Sequence, residues 1–167
     1  MFLELHKYNA DMLAEIATIY SDKNVMRYIR DGKPYSVENI DNTLSKVIKN
    51  YRSGTQQGHW AVYNESKEYI GKALLLPWDN KIDFEIGYIV LPRFWGKGYG
   101  KQMAKKIFDK AREDGHEKLI ATVHRKNKAS IRILKDLGFK FKKVVKKEGR
   151  RKDLYKWRSN AQTLNAQ

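Results

Sequence analysis

Residues 93 to 100 read Arg93-Phe94-Trp95-Gly96-Lys97-Gly98-Tyr99-Gly100. Three glycines at alternate positions separate a strand-like run, Phe84 to Leu91, from a helix-like run, Lys101 to Ala111. A turn whose every second residue lacks a Cβ lets backbone N–H groups come close to an anion. The helix start behind it adds unpaired N–H donors and the positive end of the helix dipole. This combination predicts a phosphate-binding loop, with Arg93, Lys97 and Lys101 supplying positive charge around it.

The spacing narrows the kind of phosphate. A dinucleotide-binding fold would carry its glycines in the first strand–helix unit, with an acidic residue about 20 positions on. Here they lie past mid-chain, after what reads as a meander. A P-loop would close with Gly-Lys-Ser/Thr, whereas Gly100-Lys101 is followed by Gln102.

The elements around the loop follow from periodicity. Phe2 to Leu5 reads as a first strand, and Leu13, Ile16, Ala17 and Tyr20 form a helical stripe within Ala10 to Tyr20. Ser21 to Tyr35 reads as irregular. Ser36 caps a second helix bearing Ile40, Leu44, Val47, Ile48 and Tyr51, followed by a polar turn between Gly54 and Gly58. Trp60 to Tyr63 and Tyr69 to Leu76 read as a hairpin turned at Asn64 to Lys67, and Asp79 to Lys81 turns the chain into the strand before the glycines. Leu119 to Val123 is apolar enough for a central strand. Asn127 caps a helix with Ile131, Ile133, Leu134 and Leu137, and a hairpin of Phe139–Val145 and Asp153–Trp157 closes the order.

The 167 residues fit one domain, expected over 1–158, with a polar, loose tail over 159–167. Cysteine is absent, which removes disulfides, thiolate metal ligands and a cysteine nucleophile, and no metal is expected. The start, Met1 to His6, has no charged segment followed by a long apolar run, and no stretch reaches the length of a membrane span, so a cytoplasmic protein away from membranes is expected. Lys and Arg number 34 against 19 Asp and Glu, a net charge of +15. Such a surface attracts polyanions, including ribosomes and nucleic acid. Basic and aromatic residues are not interleaved as a nucleic-acid groove would need.

Arg93-x-x-Gly96-x-Gly98-x-Gly100 resembles the acetyl-CoA diphosphate loop of the GCN5-related N-acetyltransferase (GNAT) superfamily. Asn127-x-x-Ser130 followed by Leu137-Gly138-Phe139 resembles its second cofactor motif. Glu85-Ile86-Gly87-Tyr88 and Trp95-Gly96-Lys97-Gly98-Tyr99 look like the branch that includes the ribosomal-protein N-terminal acetyltransferases. The resemblance runs from Leu3 to Trp157. It implies an α/β acyl-CoA N-acyltransferase fold with about seven strands in a mixed, twisted sheet and about four helices. Two central parallel strands, Ile82–Leu91 and Lys118–Val123, would splay apart to admit a pantetheine arm. Backbone groups of Ile89, Val90 and Leu91 would hydrogen-bond that arm, and N–H groups from Trp95 through Gly96, Lys97, Gly98, Tyr99 and Gly100 to Lys101 would wrap the diphosphate. Asn127 would reach the cofactor arm from the other side, with Ser130 nearby, and Arg125, Lys126, Lys128 and Arg132 flank this second motif, where their charge could meet the adenosine phosphate.

The implied reaction moves an acetyl group from a thioester to an amine, with acetyl-CoA as donor. An amine is protonated at neutral pH, so a base must take its proton. Glu85 is the candidate, because a carboxylate among apolar neighbours accepts protons more readily than one in water. The competing expectation for Glu85 is an exposed carboxylate or a structural ion pair. Many members of the superfamily place a tyrosine acid on the second-motif helix, where this chain has Leu134, so Ser130 is the residue named for protonating the leaving thiolate. Met26, Tyr28, Trp78 and Tyr155 would line the acceptor site. The acceptor would be a protein N-terminal or lysine amine ahead of a small amine, and the chain a monomer or homodimer. The alternatives are a basic protein that binds nucleic acid or ribosomes, and a non-catalytic sensor of coenzyme A.

Overall fold

The computed structural model describes residues 2–49, 57–79 and 82–159. Strands β1 (Leu3–Lys7), β2 (Gly58–Asn64), β3 (Tyr69–Pro77), β4 (Phe84–Val90), β5 (Lys118–Val123), β6 (Lys140–Lys147) and β7 (Arg150–Arg158) share one sheet, in the order β1-β2-β3-β4-β5-β7-β6. Every neighbouring pair is antiparallel except β4 and β5. Those two are parallel and meet only at Phe84–Leu119 and Glu85–Ile120. Beyond that point β4 runs on to Val90 and β5 to Val123 without pairing. The sheet therefore holds a fork that closes at Glu85 and opens toward the C-terminal ends of both strands, as the resemblance implied.

Helices α1 (Leu13–Tyr20), α2 (Lys23–Met26), α3 (Val37–Lys49), α4 (Tyr99–Glu113) and α5 (Lys128–Asp136) cover the sheet. Directly opposed residues on neighbouring strands share a face, so the register sorts the two sides. Trp60, Ala73, Leu75, Ile86, Tyr88, Leu119 and Ala121 face α4 and α5. Ala61, Lys72, Leu74, Glu85, Ile89, Ile120 and Thr122 face the side of α1, where Lys72 Nζ donates to Tyr20 Oη at 2.9 Å. Helix α4 buries Met103, Ala104, Ile107, Phe108 and Ala111 as one stripe. Truncating a fully buried residue of that stripe, such as Ile107, costs about 2–5 kcal/mol.

Two caps appear where the sequence places them. Ser36 Oγ accepts from Asn39 N–H at 3.3 Å, and Asn127 Oδ1 from Ser130 N–H at 3.2 Å. The fifth helix, α2, lies inside the stretch read as irregular. Its four residues are too few for a periodic stripe, and Asp22 creates it by accepting from the N–H groups of Asn24 and Val25. The last hairpin is longer than expected, because Glu148 and Gly149 both have positive φ and make a two-residue turn. The readings at Asn50–Gln56, Asn80–Lys81 and residues 160–167 fall outside the described residues.

Strands β3 and β4 approach closely at one point. A Cβ on Gly71 would stand 1.9 Å from the Ile89 carbonyl oxygen, so only glycine fits beside this part of β4.

Candidate active site

The loop begins with a single turn of 3-10 helix, Pro92–Phe94, after which Gly98 takes φ +85° and turns the chain into α4. A side chain rarely adopts that backbone angle. The first N–H groups of α4 have no partner within the helix, and Gly96, Lys97 and Gly98 are exposed in front of them. Trp95 N–H does not belong to this set, because it donates to Pro92 C=O at 3.0 Å. The donor arc therefore runs from Gly96 to Lys101. Gly100 lies over the sheet, with Tyr88, Val90 and Ile133 within 4.0 Å of where its Cβ would be.

Strand β4 presents its backbone to the fork at alternate residues. Leu91 N–H donates to Ile70 C=O at 2.9 Å, on the β3 side. Ile89 faces the same way and Val90 the opposite way, since successive residues of a strand turn their backbone groups to opposite neighbours. Of the three residues expected to hold a pantetheine arm, only Val90 turns its backbone to the fork; Ile89 and Leu91 are engaged with β3. The Val90 carbonyl oxygen already accepts the indole N–H of Trp95 at 2.6 Å.

Other expected cofactor residues divide in the same manner. Arg93 reaches back to Tyr69 C=O at 3.2 Å and is turned away from the glycine arc. Lys97 and Arg132 are exposed, and Lys101 Nζ stands 3.5 Å from Asp136 in a solvent-facing pair. The Tyr99 ring packs edge-on against Phe94, with its hydroxyl 3.5 Å from Asn64 Nδ2, so its side chain points away from the turn. Asn127 uses Oδ1 to cap α5, which leaves its Nδ2 to meet a ligand.

Glu85 sits at the closed end of the fork. Thr122 Oγ1 donates to its Oε1 at 2.7 Å, and Lys147 Nζ pairs with its Oε2. The Lys147 ammonium lies 4.8 Å from the Trp78 ring centroid, so Trp78, Lys147 and Glu85 form one cluster. Both carboxylate oxygens thus have donors, which is the ion-pair arrangement set against a general base above.

Ser130 lies beside the Tyr88 hydroxyl, yet the two do not align as a hydrogen bond, and the Tyr88 oxygen is buried without a partner. Burial pushes the Tyr88 phenol up to about 12, against a smaller opposing pull from Ser130. Of the expected acceptor residues, Tyr28 is half-buried and packs at a tilt against His124, with ring centroids 5.3 Å apart. Met26 is 0% exposed and Tyr155 5% exposed, both in the core, so neither lines an acceptor surface. Their hydrophobic character drew them inward. Thr122, Lys147, Tyr88 and His124 are the site residues that sequence reasoning missed. Thr122 and His124 follow from the alternation of β5 once Glu85 is paired with Ile120, whereas no local signal marks Lys147. Among the described residues, no group of His, Asp and Glu is placed to hold a metal ion, and no helix is long and apolar enough to cross a membrane.

A family model described as an acetyltransferase (GNAT) domain matches residues 3–140. YkkB of Bacillus subtilis, itself uncharacterized, is 26% identical over 145 residues, covering 82% of this chain and 80% of the relative. Spermidine N-acetyltransferase from Vibrio cholerae, solved with CoA and spermine, superposes with a TM-score of 0.74 at 20% identity, covering 92% of each chain. RimL, a ribosomal L7/L12 alpha-N-protein acetyltransferase solved with coenzyme A, superposes with a TM-score of 0.75 at 17% identity, covering 95% of each chain. At these identities the two solved structures speak for the fold.

Proposed function

Because the chain belongs to the GNAT acetyltransferase family and is an acetyl-CoA-dependent N-acetyltransferase, we propose that it acetylates a primary amine, a protein N-terminal or lysine amine ahead of a small amine. The observation that carries this reading is the fork. Strands β4 and β5 pair at two positions and then part, directly beneath the free N–H groups that open α4. Within the family the reading favours the branch of ribosomal-protein N-terminal acetyltransferases, on the Trp95–Tyr99 sequence and on the likeness of fold to RimL.

The residues present fit the donor molecule. The N–H groups of Gly96 to Lys101 offer an arc for a diphosphate, with Lys97, Lys101 and Arg132 adding charge. The Val90 backbone and Asn127 Nδ2 flank the path of an amide-bearing arm. Bound there, acetyl-CoA supplies a thioester carbonyl. The amine nitrogen forms the new bond to that carbon as the carbon–sulfur bond breaks, and holding the two in contact lowers the barrier. The amine proton passes to Glu85, directly or through water, while Thr122 and Lys147 hold the carboxylate in place. Ser130, or the Tyr88 phenol beside it, returns a proton to the leaving thiolate.

Release of free thiol from acetyl-CoA tests the reading across a panel of amines and N-terminally free peptides. Amine-dependent release supports it. Tight binding of acetyl-CoA with no release on any amine would leave a coenzyme A sensor instead.

A further inference from the structure

At the open end of the fork, on the α1 side, lies a recess of about 320 Å³ lined by His124, Arg125, Lys126, Arg150 and Arg151. All five are basic. Carboxylates nearby do not neutralise them evenly. Asp153 pairs with Arg125 at 3.1 Å, and Glu148 is held between Arg30 at 3.5 Å and Lys152 at 3.1 Å. Among the described residues, Lys126, Arg150 and Arg151 have no carboxylate partner.

The recess is also set up in detail. Arg150 Nη1 donates to Arg27 C=O at 2.9 Å, which anchors the guanidinium across the mouth of the fork. Its Nη2 stands 3.1 Å from His124 Nε2. On the other side of the same ring, Lys126 N–H points at His124 Nδ1 from 3.2 Å. Partial burial, and then the Arg150 charge, lower the His124 pKa below its ordinary value, so the ring is neutral at pH 7. A neutral imidazole accepts at one nitrogen only. Donors face both ring nitrogens, so one of them, the Arg150 Nη2–H or the Lys126 N–H, meets a protonated nitrogen and finds no acceptor in the ring. An oxyanion in the recess supplies the missing acceptor and also answers the uncompensated charge.

The position of the recess says whose oxyanion it is. The glycine arc that serves the cofactor opens at the start of α4, on the other face of the sheet. Continuing the register of Glu85 with Ile120 by four residues sets Ile89 opposite His124 across the fork. Both point to the α1 side, on which Thr122 lies two residues before His124 and Glu85 four residues before Ile89. His124 is about 7 Å along β5 from Thr122.

We infer that this recess binds an oxyanion, carboxylate or phosphate, carried by the acceptor within a few bonds of the amine that is acetylated. The acceptor is accordingly an acidic amine, such as a peptide N-terminus followed by an acidic side chain or a free amino acid, and a polyamine is disfavoured. This substrate class rests on the acetyl-transfer reading above; the oxyanion site itself does not.

Two measurements test it and separate the two claims. Inorganic phosphate is titrated into the protein, with and without saturating coenzyme A, while the His124 imidazole resonance is followed by NMR. A saturable shift is expected in both cases, weakened about tenfold in Arg150→Gln, the loss of one charged hydrogen bond. The His124→Phe variant, which keeps a ring against Tyr28, serves should Arg150→Gln not fold, with phosphate binding then read by calorimetry. No shift, or a shift abolished by coenzyme A, overturns the proposal, since the recess would then be empty of function or part of the cofactor site. In the second measurement, thiol release is compared for aspartyl and asparaginyl peptides, and for glycine and glycinamide. One of the charged acceptors should show a KM lower by about tenfold, the pair that responds telling peptide from free amino acid. Arg150→Gln should erase that difference with the KM for acetyl-CoA unchanged. Equal KM values across both pairs, with transfer proceeding, overturn this inference and leave the acetyl-transfer reading standing. A His124 shift with no transfer to any amine leaves the oxyanion site and overturns the reading its acceptor role rests on.

Discussion

Trp95 donates its indole N–H to the carbonyl oxygen of Val90, 2.6 Å away. That oxygen faces the fork, where an amide of a pantetheine arm would seek it. The loop that opens α4 and the strand that leads into it are thus tied together by a bond for which such an arm would compete. The indole is 43% exposed, so it can swing outward without unpacking the core.

Coenzyme A should therefore change the emission of Trp95. The chain has three other tryptophans, Trp60, Trp78 and Trp157, so the change is assigned by Trp95→Phe. The expected outcome is a saturable change in the wild-type protein that disappears in Trp95→Phe while calorimetry still records binding. Unchanged wild-type emission at saturation would mean that the indole stays on Val90.

Glu85→Gln keeps the shape of the side chain and its bond from Thr122 but removes the proton acceptor. It should lower kcat by about 10²-fold or more and leave the KM for acetyl-CoA unaltered. A variant with full activity would assign Glu85 to the structural ion pair with Lys147 alone.

Tyr88 carries a buried hydroxyl with no partner. Tyr88→Phe removes a polar atom that makes no hydrogen bond, so urea unfolding should show stability unchanged or slightly raised, because only an unsatisfied group is lost. A loss of about 1 kcal/mol or more would show a working bond to Ser130. Slower turnover in the same variant would place the phenol at the leaving thiolate.

How much of this was legible in the sequence follows from the range of each interaction. The Gly96–Gly98–Gly100 loop was readable, because a turn between strand and helix is local and its glycines have few other uses. The fork was readable only through the resemblance, since the parting of β4 from β5 depends on a register that no window contains. Met26 of α2 and Tyr155 of β7 escape the reading because residue type does not tell a side chain that faces the core from one that lines a site. The Glu85–Lys147 pair joins residues 62 apart, and the His124 recess needs the fork, the α2 loop and the last hairpin at once. Short α2 escaped because one aspartate cap, at Asp22, made it.

His59 gives the fold an acid limit. Burial, then the charges of Lys72 and Arg30, push its pKa down to about 2 from an ordinary value near 6.5. The unfolded chain therefore binds a proton that the folded chain refuses between these values. The stability from a neutral His59 is complete above pH 6.5 and falls with pH below it, by about 1.4 kcal/mol per unit. His59→Leu should flatten the decline of unfolding free energy from pH 6.5 toward pH 4, measured by urea denaturation. An unchanged slope would show that other groups set the acid limit.

The central claim is that backbone donors from Gly96 to Lys101 hold the diphosphate of coenzyme A and aim its arm between β4 and β5. A crystal structure of the protein with coenzyme A tests this most directly. The predicted result is a diphosphate within hydrogen-bonding distance of those N–H groups, with the arm passing Val90 into the fork. A diphosphate bound elsewhere, with the fork closed by side chains, would contradict it.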